Sequence, residues 1–356
     1  MRIVVDDIAA SKTGALSVLR DFYGYILEHD RENEWIFVLG DTLLEERDNI
    51  KVLVRDDVKA SRKNRLKFDL KTGAGYFESL KPDVLFSLQN TLPRGYKGRQ
   101  VLYVHQPLGY QTWKRFSFLK AEEREYAIYQ HIIGRMIDSS VKRADKVIVQ
   151  TQWMKDAVIK KTGIAPEKIV KILPEVEHGV LGHGAPCFTR FFYPAGEILY
   201  KNHSCILEAV GILIDRGITD FEVSFTLKEG DIPYLNRYPK YGQVKYIGRI
   251  LREEVFERYR NEILLFPSYI ETFGYPPAEA RTVGGRIIAS DCPFCHEVLD
   301  GYNRSAYFDP FDPAALADLM ESAIKGELFA DEVSDITCSD GIKENSWEKV
   351  ISEIMH

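Results

Sequence analysis

The sequence predicts an α/β protein made of two Rossmann-like domains, each built on a parallel sheet. Short apolar runs alternate with helical patterns along most of the chain, as expected for successive βαβ units. A stretch rich in glycine and proline interrupts this alternation near the middle, and then the alternation starts again. The length of 356 residues also favours two domains, because a single core rarely grows beyond about 250–300 residues.

The first predicted domain comprises residues 1–175. The apolar run from Ile3 to Asp6 is short and ends in acidic residues, so it fits a first strand and not a secretory signal. Strands are predicted at 3–6, 35–39, 52–54, 84–87, 101–104, 146–149 and 169–173, with helices at 15–27, 121–140 and 152–160.

The second predicted domain comprises residues 189–342 and follows a linker at 176–188. Gly179, Gly182 and Pro186 punctuate that linker at a spacing that breaks helices and strands. Residues 343–356 are predicted to form a final helix. In the second domain, strands are predicted at 189–193, 221–226, 244–247, 263–266 and 286–290, with helices at 203–216, 253–260 and 277–283.

The composition is that of an ordinary globular chain, with 45% hydrophobic and 28% charged residues. No window of about 18 consecutive apolar residues occurs, so no membrane-spanning helix is expected. The 5 cysteines are thinly spread, which indicates a reducing compartment without a disulfide framework. The expected location is therefore the cytoplasm.

Charge is unevenly distributed along the chain. The net charge is −6, yet residues 1–180 carry +5, residues 181–356 carry −11, and residues 51–150 alone carry +10. Such an asymmetry suggests that one domain meets an anionic partner, although a solvated charged face explains the counts equally well.

Two glutamates eight positions apart, Glu271 and Glu279, stand where a loop must become a helix. The apolar strand 263–266 ends at Pro267, and Pro276–Pro277 fit the first turn of a helix, where a missing N–H costs little. Glu271 is therefore expected on the loop before the helix, and Glu279 about one turn inside it.

The backbone at the tip of this helix favours an anion. The amides near Phe273, Gly274 and Tyr275 are expected to point to one place, and Gly274 lets the backbone approach a phosphate closely. Two carboxylates would repel that phosphate, so they suit neutral hydroxyl groups such as those of sugar and ribose rings. The layout predicts a nucleotide-sugar site.

The run from Leu264 to Asp291 resembles the E-x7-E motif of the retaining GT-B glycosyltransferases of family 4, also called glycosyl transferases group 1, of the bacterial surface-polysaccharide type. The resemblance continues through His296–Val298 and Tyr307–Pro310. It implies two Rossmann-like domains that face each other across a cleft, with the acceptor bound by the first and the donor by the second. It also implies that the final helix crosses back to the first domain.

The resemblance implies roles for the residues of this motif. Glu271 would act in catalysis by holding hydroxyls of the donor sugar, and Glu279 would hold the ribose hydroxyls. The other donor-binding residues of the motif would be Thr272, Phe273, Gly274 and Tyr275.

Lys201 would contact the donor diphosphate, because it stands before a predicted helix in the loop that follows the first strand of the second domain. A surface lysine near a helix start is the alternative reading. Family members often carry an arginine a few residues earlier, after a glycine, but Glu197 stands at that place here. Arg190 and Arg249 are the candidate replacements.

Two residues of the first domain complete the predicted site. His105 follows the strand 101–104, and the resemblance implies that it contacts the donor sugar near the reacting carbon, where its hydrogen bond would strengthen in the transition state. Gly14 would lie near the donor phosphate, although it is a lone glycine where the family has a richer turn. A packed histidine and an ordinary turn remain the alternatives.

Cys292 and Cys295 have the spacing of a redox or zinc pair. A zinc site needs four ligands and no second cysteine pair exists, so neither function is favoured.

Two segments, 61–71 and 113–120, place lysine and arginine beside leucine, phenylalanine and tryptophan. Such segments can lie on the anionic inner face of a membrane, each cation adding about 1 kcal/mol near the headgroups. Nucleic acid is the rival partner, but no nucleic-acid module accompanies the segments and the overall charge is negative.

The expected activity is therefore the transfer of a hexose-type sugar from a nucleotide-diphosphate sugar to an acceptor hydroxyl, with retention of anomeric configuration. A lipid-linked oligosaccharide is the expected acceptor, and neither a metal nor another cofactor is expected. UDP, GDP and dTDP remain equally open, because base contacts in this fold come largely from backbone. A nucleotide-sugar epimerase or hydrolase of the same fold, or a non-catalytic GT-B scaffold, is the alternative.

Overall fold

The computed structural model describes residues 1–10, 13–177, 179, 187–329 and 346–356. The chain forms two compact units, each with its own parallel sheet. The first unit consists of the described parts of Met1–Phe118, Arg124–Pro174 and Glu344–His356, and the second consists of the described parts of Leu119–Glu123 and Glu175–Lys343. Residues 178 and 180–186 of the predicted linker, and 343–345 of the predicted last segment, lie outside the described residues.

The sheet of the first unit has seven parallel strands in the order β3-β2-β1-β4-β5-β6-β7. Each of the seven predicted strands is present. Their bounds are β1 (Arg2–Asp7), β2 (Glu34–Leu39), β3 (Ile50–Val54), β4 (Val84–Ser87), β5 (Arg99–Val104), β6 (Lys146–Val149) and β7 (Ile169–Lys171).

The central strand β1 shows why these runs form strands. Ile3 and Val5 pack in the core on one face of the sheet, and Val4 packs in a separate core on the other face. Because both faces of a parallel sheet are covered, its strands are almost continuously apolar. The sequence pattern therefore located them well.

The helices of the first unit depart from the prediction in two places. The stretch from 56 to 79, predicted without helices, forms three short helices, and the helix predicted at 121–140 begins later and is interrupted. The bounds are α1 (Thr13–His29), α2 (Asp56–Lys59), α3 (Arg62–Lys67), α4 (Gly73–Ser79), α5 (Arg124–Ile128), α6 (Gly134–Arg143) and α7 (Gln152–Thr162), with π-helical turns at Phe68–Thr72 and Tyr129–Ile133 and a 3₁₀ turn at Pro166–Lys168.

The sheet of the second unit has six parallel strands in the order β10-β9-β8-β11-β12-β13. Five of them were predicted; the sixth, β13, was not. The strands are β8 (Arg190–Tyr193), β9 (Glu222–Phe225), β10 (Val244–Tyr246), β11 (Ile263–Phe266), β12 (Arg286–Ser290) and β13 (Ser305–Phe308). The helices are α8 (His203–Asp215), α9 (Arg252–Asn261), α10 (Tyr275–Thr282), α11 (Pro293–Val298) and α12 (Pro313–Ile324), with 3₁₀ turns at Leu199–Lys201 and Pro233–Arg237.

The last helix, α13 (Ser346–Met355), is part of the first unit. The indole of Trp347 lies 5.0 Å from the ring of Phe22 and 6.3 Å from that of Tyr103, measured between ring centroids. Arg99 donates hydrogen bonds of 3.0 Å to the carbonyls of Glu353 and Met355, which caps the carboxyl end of the helix with a cation. No helix in the described ranges is long and apolar enough to cross a bilayer.

Candidate functional site

The strand order of the second unit reverses between β8 and β11. The chain runs outward from β8 to β10 on one side and from β11 to β13 on the other. In open α/β sheets, ligands bind outside the carboxyl ends of the strands at such a reversal. Lys201 lies on the connection that follows β8, and Glu271 lies on the connection that follows β11.

Lys201 and Glu271 form an ion pair at this reversal. The Lys201 ammonium lies 2.5 Å from Oε1 of Glu271, and the hydroxyl of Ser268 donates to the same oxygen at 2.6 Å. The two charged side chains are only 18% and 16% exposed, so solvent screens the pair weakly. Within the described residues, Oε2 of Glu271 accepts no hydrogen bond, which leaves this oxygen available to a ligand hydroxyl.

Asn202 holds the surrounding loops together. Its backbone is left-handed, with a φ of 62°, a conformation that asparagine tolerates better than most residues. Its side-chain amide donates to the carbonyls of Pro267, at 3.2 Å, and Pro310, at 2.8 Å. These contacts join the segments that follow β8, β11 and β13. The sequence alone does not reveal this role of Asn202, because both partners are distant in the chain.

Helix α10 begins two residues earlier than predicted, at Tyr275. Gly274 precedes it with a φ of 96°, a conformation that favours glycine, and Pro276–Pro277 occupy the first turn. The two prolines carry no amide hydrogen, so the backbone around Gly274 must provide any anion contact at this tip. Phe273 is buried, and its ring packs edge-to-face on that of Tyr275 at 5.2 Å.

Glu279 is 5% exposed and is held by two side chains that the sequence analysis missed. Arg252 donates from Nη2 to Oε1 at 2.5 Å and from Nη1 to Oε2 at 3.1 Å. Tyr259 donates its hydroxyl to Oε2 at 3.1 Å. The neighbouring carboxylates Glu279 and Glu177 outweigh burial and raise the pKa of Arg252. Glu279 is therefore a fixed, charge-compensated carboxylate.

The other donor-binding candidates lie at different places in the second unit. Thr272 is half-buried in the loop between Glu271 and α10, and Arg249 is exposed just beyond β10, at the carboxyl edge of the sheet. Arg190 is the first residue of β8. It therefore lies at the opposite edge of the sheet from Lys201, so the suggestion that it replaces the missing arginine is wrong.

The first unit has its own strand reversal, between β1 and β4. Two buried carboxyl groups that the sequence analysis did not single out, Asp6 and Asp7, end β1 there. The Gln89 amide donates to Oδ2 of Asp6 at 2.6 Å, while Oδ1 is buried without a partner in the described structure. Burial raises the pKa of Asp6 well above its ordinary value and that of Asp7 to about 7, although the charge of Arg65 opposes both shifts.

His105 follows β5 at the same carboxyl edge. It is half-buried, its backbone amide donates to Oδ1 of Asn90 at 2.7 Å, and its ring lies edge-on to that of Tyr103. Burial lowers the pKa of His105 to about 4, so the imidazole is neutral at pH 7. It can donate or accept a hydrogen bond but does not supply a positive charge.

Gly14 lies in the first turn of α1. Residues 11 and 12, which belong to the predicted glycine turn, lie outside the described residues, as do the surroundings of Gly14.

Cys292 and Cys295 are buried beside the site, at the start of α11. Burial raises the pKa of Cys292 to about 12 and that of Cys295 well above its usual range, so neither thiol is activated at neutral pH. His296 points to Asp291, with 2.5 Å between Nε2 and Oδ1. Among the described residues no cluster of three or more potential metal ligands occurs.

The two basic segments expose fewer aromatic side chains than predicted. Phe68 and Phe116 are each 2% exposed and belong to the interior, and Trp113 packs on Trp153 with ring centroids 5.8 Å apart. Phe68 and Phe116 are therefore not part of the surface that these segments expose. The apolar side chains that these segments expose are Leu66, Leu70, Phe118 and Leu119.

Known proteins with similar sequences or structures are glycosyltransferases or contain the same two-unit architecture. The family model described as glycosyl transferases group 1 matches residues 237–337, which include α9, α10 and both glutamates. The O-antigen chain mannosyltransferase RfbU of Salmonella typhimurium is 27% identical over 208 residues, which are 56% of this chain and 56% of that protein. The match thus spans little more than half the length of this curated relative.

Solved structures match over the whole chain. The Anabaena protein HepE in complex with UDP superimposes with a TM-score of 0.65 at 14% identity, covering 100% of this chain and 99% of that one. The lipopolysaccharide outer core galactosyltransferase WaaB, in its apo form, gives the same TM-score and coverage at 15% identity. Together with the two parallel sheets, these likenesses show a GT-B fold, and the second unit contains a segment similar to the glycosyl transferases group 1.

Proposed function

We propose that this protein transfers a hexose-type sugar from a nucleotide-diphosphate sugar to an acceptor hydroxyl, with retention of anomeric configuration. One observation carries the proposal: Lys201 and Glu271 meet at the strand reversal of the second unit, and helix α10 follows Glu271 within four residues. A cation, a helix tip and a carboxylate at one edge suit a ligand that has both a diphosphate and ring hydroxyls.

Donor binding would exchange the partners of this ion pair. The diphosphate would compete with Glu271 for the ammonium of Lys201, and Glu271, still held by Ser268, would then accept hydroxyls of the donor sugar. As the glycosidic bond breaks, negative charge grows on the leaving diphosphate. Lys201 and the tip of α10 would stabilise that charge more strongly in the transition state than in the ground state. This arrangement would work without a metal.

His105 would act as a neutral hydrogen-bonding group. Burial lowers the pKa of His105 to about 4, which favours a neutral imidazole at neutral pH, so we assign it a hydrogen-bonding role and not that of a cation beside the leaving group. A hydrogen bond to the donor sugar that strengthens as the bond loosens is compatible with a neutral ring.

The names of the relatives support the substrate class. The curated relative is called an O-antigen chain mannosyltransferase, and one structural relative was solved with UDP. We accordingly propose a nucleotide-activated hexose as donor, a lipid-linked oligosaccharide of a surface polysaccharide as acceptor, and a cytoplasmic location.

A lipid-linked acceptor would bring the protein to a membrane, and α3 with the following π-helical turn offers a suitable surface. Five residues on this helix and turn have exposed side chains: Lys63, Leu66, Lys67, Leu70 and Lys71. We define these five residues as the basic ridge. Three ammonium groups around two leucines complement an anionic headgroup layer above an apolar interior.

The test begins with thermal-shift measurements against UDP-, GDP- and dTDP-sugars, because a bound donor stabilises the fold according to its affinity. The stabilising donor is then incubated in EDTA with and without a lipid-linked glycan acceptor. A transferase forms glycoside only with acceptor, whereas an epimerase or hydrolase consumes the donor alone. Loss of turnover in Glu271→Ala would exclude a scaffold, and no stabilisation by any donor would contradict the proposal.

A further inference from the structure

Glu279 accepts three hydrogen bonds from two side chains of α9, Arg252 and Tyr259, although one ion pair would be enough to neutralise its charge. Arg252 is the first residue of α9, and its guanidinium places two N–H groups on the two carboxylate oxygens. Such a bidentate fork fixes the plane of a carboxylate, which the single ammonium of a lysine would not do. Tyr259, two helical turns further along α9, adds a third hydrogen bond.

The guanidinium is itself held in place. Its Nε donates to Glu177 at 2.8 Å, and its Cζ lies 4.7 Å from the ring centroid of Phe256. Glu177 is 60% exposed, so that contact is a weak surface pair, whereas Glu279 is buried. Arg252 therefore lies between solvent and the buried carboxylate. Its orientation is fixed by Glu177 and Phe256 on one side and by Glu279 on the other.

The remaining hydrogen-bonding capacity of Glu279 is small. A carboxylate offers about four acceptor positions, and three are used: one on Oε1 by Arg252, and two on Oε2 by Arg252 and Tyr259. Within the described structure this leaves one position, on Oε1. Glu279 can accept one ligand hydroxyl without breaking any existing bond.

We propose that Arg252 is a positioning residue for ribose recognition, which orients Glu279 so that Oε1 accepts one hydroxyl of the nucleotide ribose. This inference rests on the proposed function, in which Glu279 is the ribose-binding carboxylate. Arg252 acts only through Glu279. It should therefore affect nucleotides that carry ribose hydroxyls and leave nucleotides without them unaffected.

The test compares two ligands across several variants of the full chain. Dissociation constants are measured by calorimetry for UDP and for 2′,3′-dideoxyuridine diphosphate, or for the corresponding guanosine pair if GDP is the nucleotide that stabilises the protein. A hydrogen bond to a charged group contributes about tenfold or more in affinity, so the wild type should prefer the hydroxylated nucleotide by about that factor. Arg252→Ala and Glu279→Ala should both lose this preference, and both should bind the dideoxy nucleotide as the wild type does.

Three further variants separate a positioning role of Arg252 from a purely structural one. Arg252→Lys keeps a charge beside the buried carboxylate, so the fold should survive while the preference falls, because the fork is lost. Glu177→Gln removes only the exposed partner and should leave the preference unchanged. The double variant Arg252→Ala/Glu279→Ala should show no loss beyond that of Glu279→Ala, since both residues act through one contact. In steady-state kinetics of Arg252→Ala, KM for the donor should rise while kcat stays constant.

Two results would overturn the role of Arg252. One is an equal loss of affinity for both nucleotides in Arg252→Ala. The other is an intact preference in that variant while Glu279→Ala abolishes it, which would leave the proposed function standing. A wild-type protein that binds none of UDP, GDP and dTDP would instead contradict the proposed function itself.

Discussion

The ammonium of Lys201 lies 2.5 Å from a carboxylate oxygen of Glu271, and the two residues come from opposite sides of a strand reversal. Since the pair is mostly buried, it compensates two charges before any ligand is present. A dianionic diphosphate would draw the lysine away and leave the carboxylate for a sugar. In the absence of a ligand, the residue expected to bind the diphosphate and the residue expected to bind the sugar are therefore paired with each other.

Lys201→Met should therefore lower kcat by a factor of about 100 to 1,000, as expected when a group that stabilises developing charge is removed. The surface pair of Lys240 and Glu229 provides a matched control, because it joins the same residue types in the same unit with side chains 88% and 58% exposed. Lys240→Met should leave kcat unchanged. Steady-state transfer kinetics on both variants decide the matter, and equal rates in the two variants would argue against a role for Lys201.

The raised pKa of Asp7 should make the stability of the first unit depend on pH. Its pKa is about 7 in the folded state and near 4 when unfolded, so the folded state binds more protons between these values. The free energy of unfolding of the first unit should consequently fall as pH rises from 4 to 7, by up to about 4 kcal/mol. Asp7→Asn should make this decline smaller, and the buried Asp6, whose pKa is also raised, should contribute to the part that remains. All four tryptophans lie in the first unit, so denaturant unfolding followed by tryptophan fluorescence reports on it selectively.

Asp57 supplies a control of opposite sign. Its pKa is lowered by its hydrogen bonds with Arg55, so its contribution to stability is present at neutral pH and is lost on acidification. Asp57→Asn should leave the decline between pH 4 and 7 in place. An identical pH dependence in the wild type and in Asp7→Asn would show that Asp7 is ionised in the folded state over this interval.

Strands and motif residues could be predicted because the signals are local. A strand buried on both faces is continuously apolar, and the turn from β11 through Glu271 to α10 is marked by its own prolines and glycine. The partners of Glu279 were not predictable in the same way. Arg252 lies 27 positions earlier, and nothing in its neighbourhood differs from the other charged residues of α9. Only the packing of α9 against α10 brings the guanidinium to the carboxylate.

The missed helices of the first unit have a physical explanation as well. Helices α2 and α3 have four and six residues, which is too short for a helical period to emerge. In addition, a π-helical turn follows α3 and shifts the register of its apolar residues. Phe68, the first residue of that turn, is buried in the core of the unit. From the sequence pattern alone, Phe68 was predicted to belong to the same surface segment, 61–71, as its exposed neighbours.

The last helix should contribute strongly to the stability of the first unit. Trp347 is 8% exposed and lies against Phe22 and Tyr103. Trp347→Ala should reduce the free energy of unfolding by about 3–5 kcal/mol, the usual cost of truncating a buried tryptophan. Glu348→Ala changes an exposed neighbour and should cost little. Denaturant titration of both variants measures this, and equal midpoints would show that α13 packs only loosely.

The basic ridge should bind anionic vesicles. Each cation near the headgroups contributes about 1 kcal/mol, so Lys63→Glu/Lys67→Glu/Lys71→Glu should weaken binding to phosphatidylglycerol-containing vesicles by at least about 100-fold. Because the attraction is electrostatic, raising the salt concentration should weaken binding of the wild type as well. Vesicle flotation, with pure phosphatidylcholine as the neutral lipid, provides the measurement.

The two leucines of the basic ridge test whether apolar insertion accompanies this charge attraction. Leu66 and Leu70 are 45% and 39% exposed, so replacing them with serine should not disturb the core. Leu66→Ser/Leu70→Ser should reduce vesicle binding even at high salt, where the electrostatic part is screened. Leu251, which is 74% exposed in the second unit, offers the control, because Leu251→Ser should bind as the wild type does. Equal flotation with anionic and neutral vesicles would contradict the membrane role of the basic ridge.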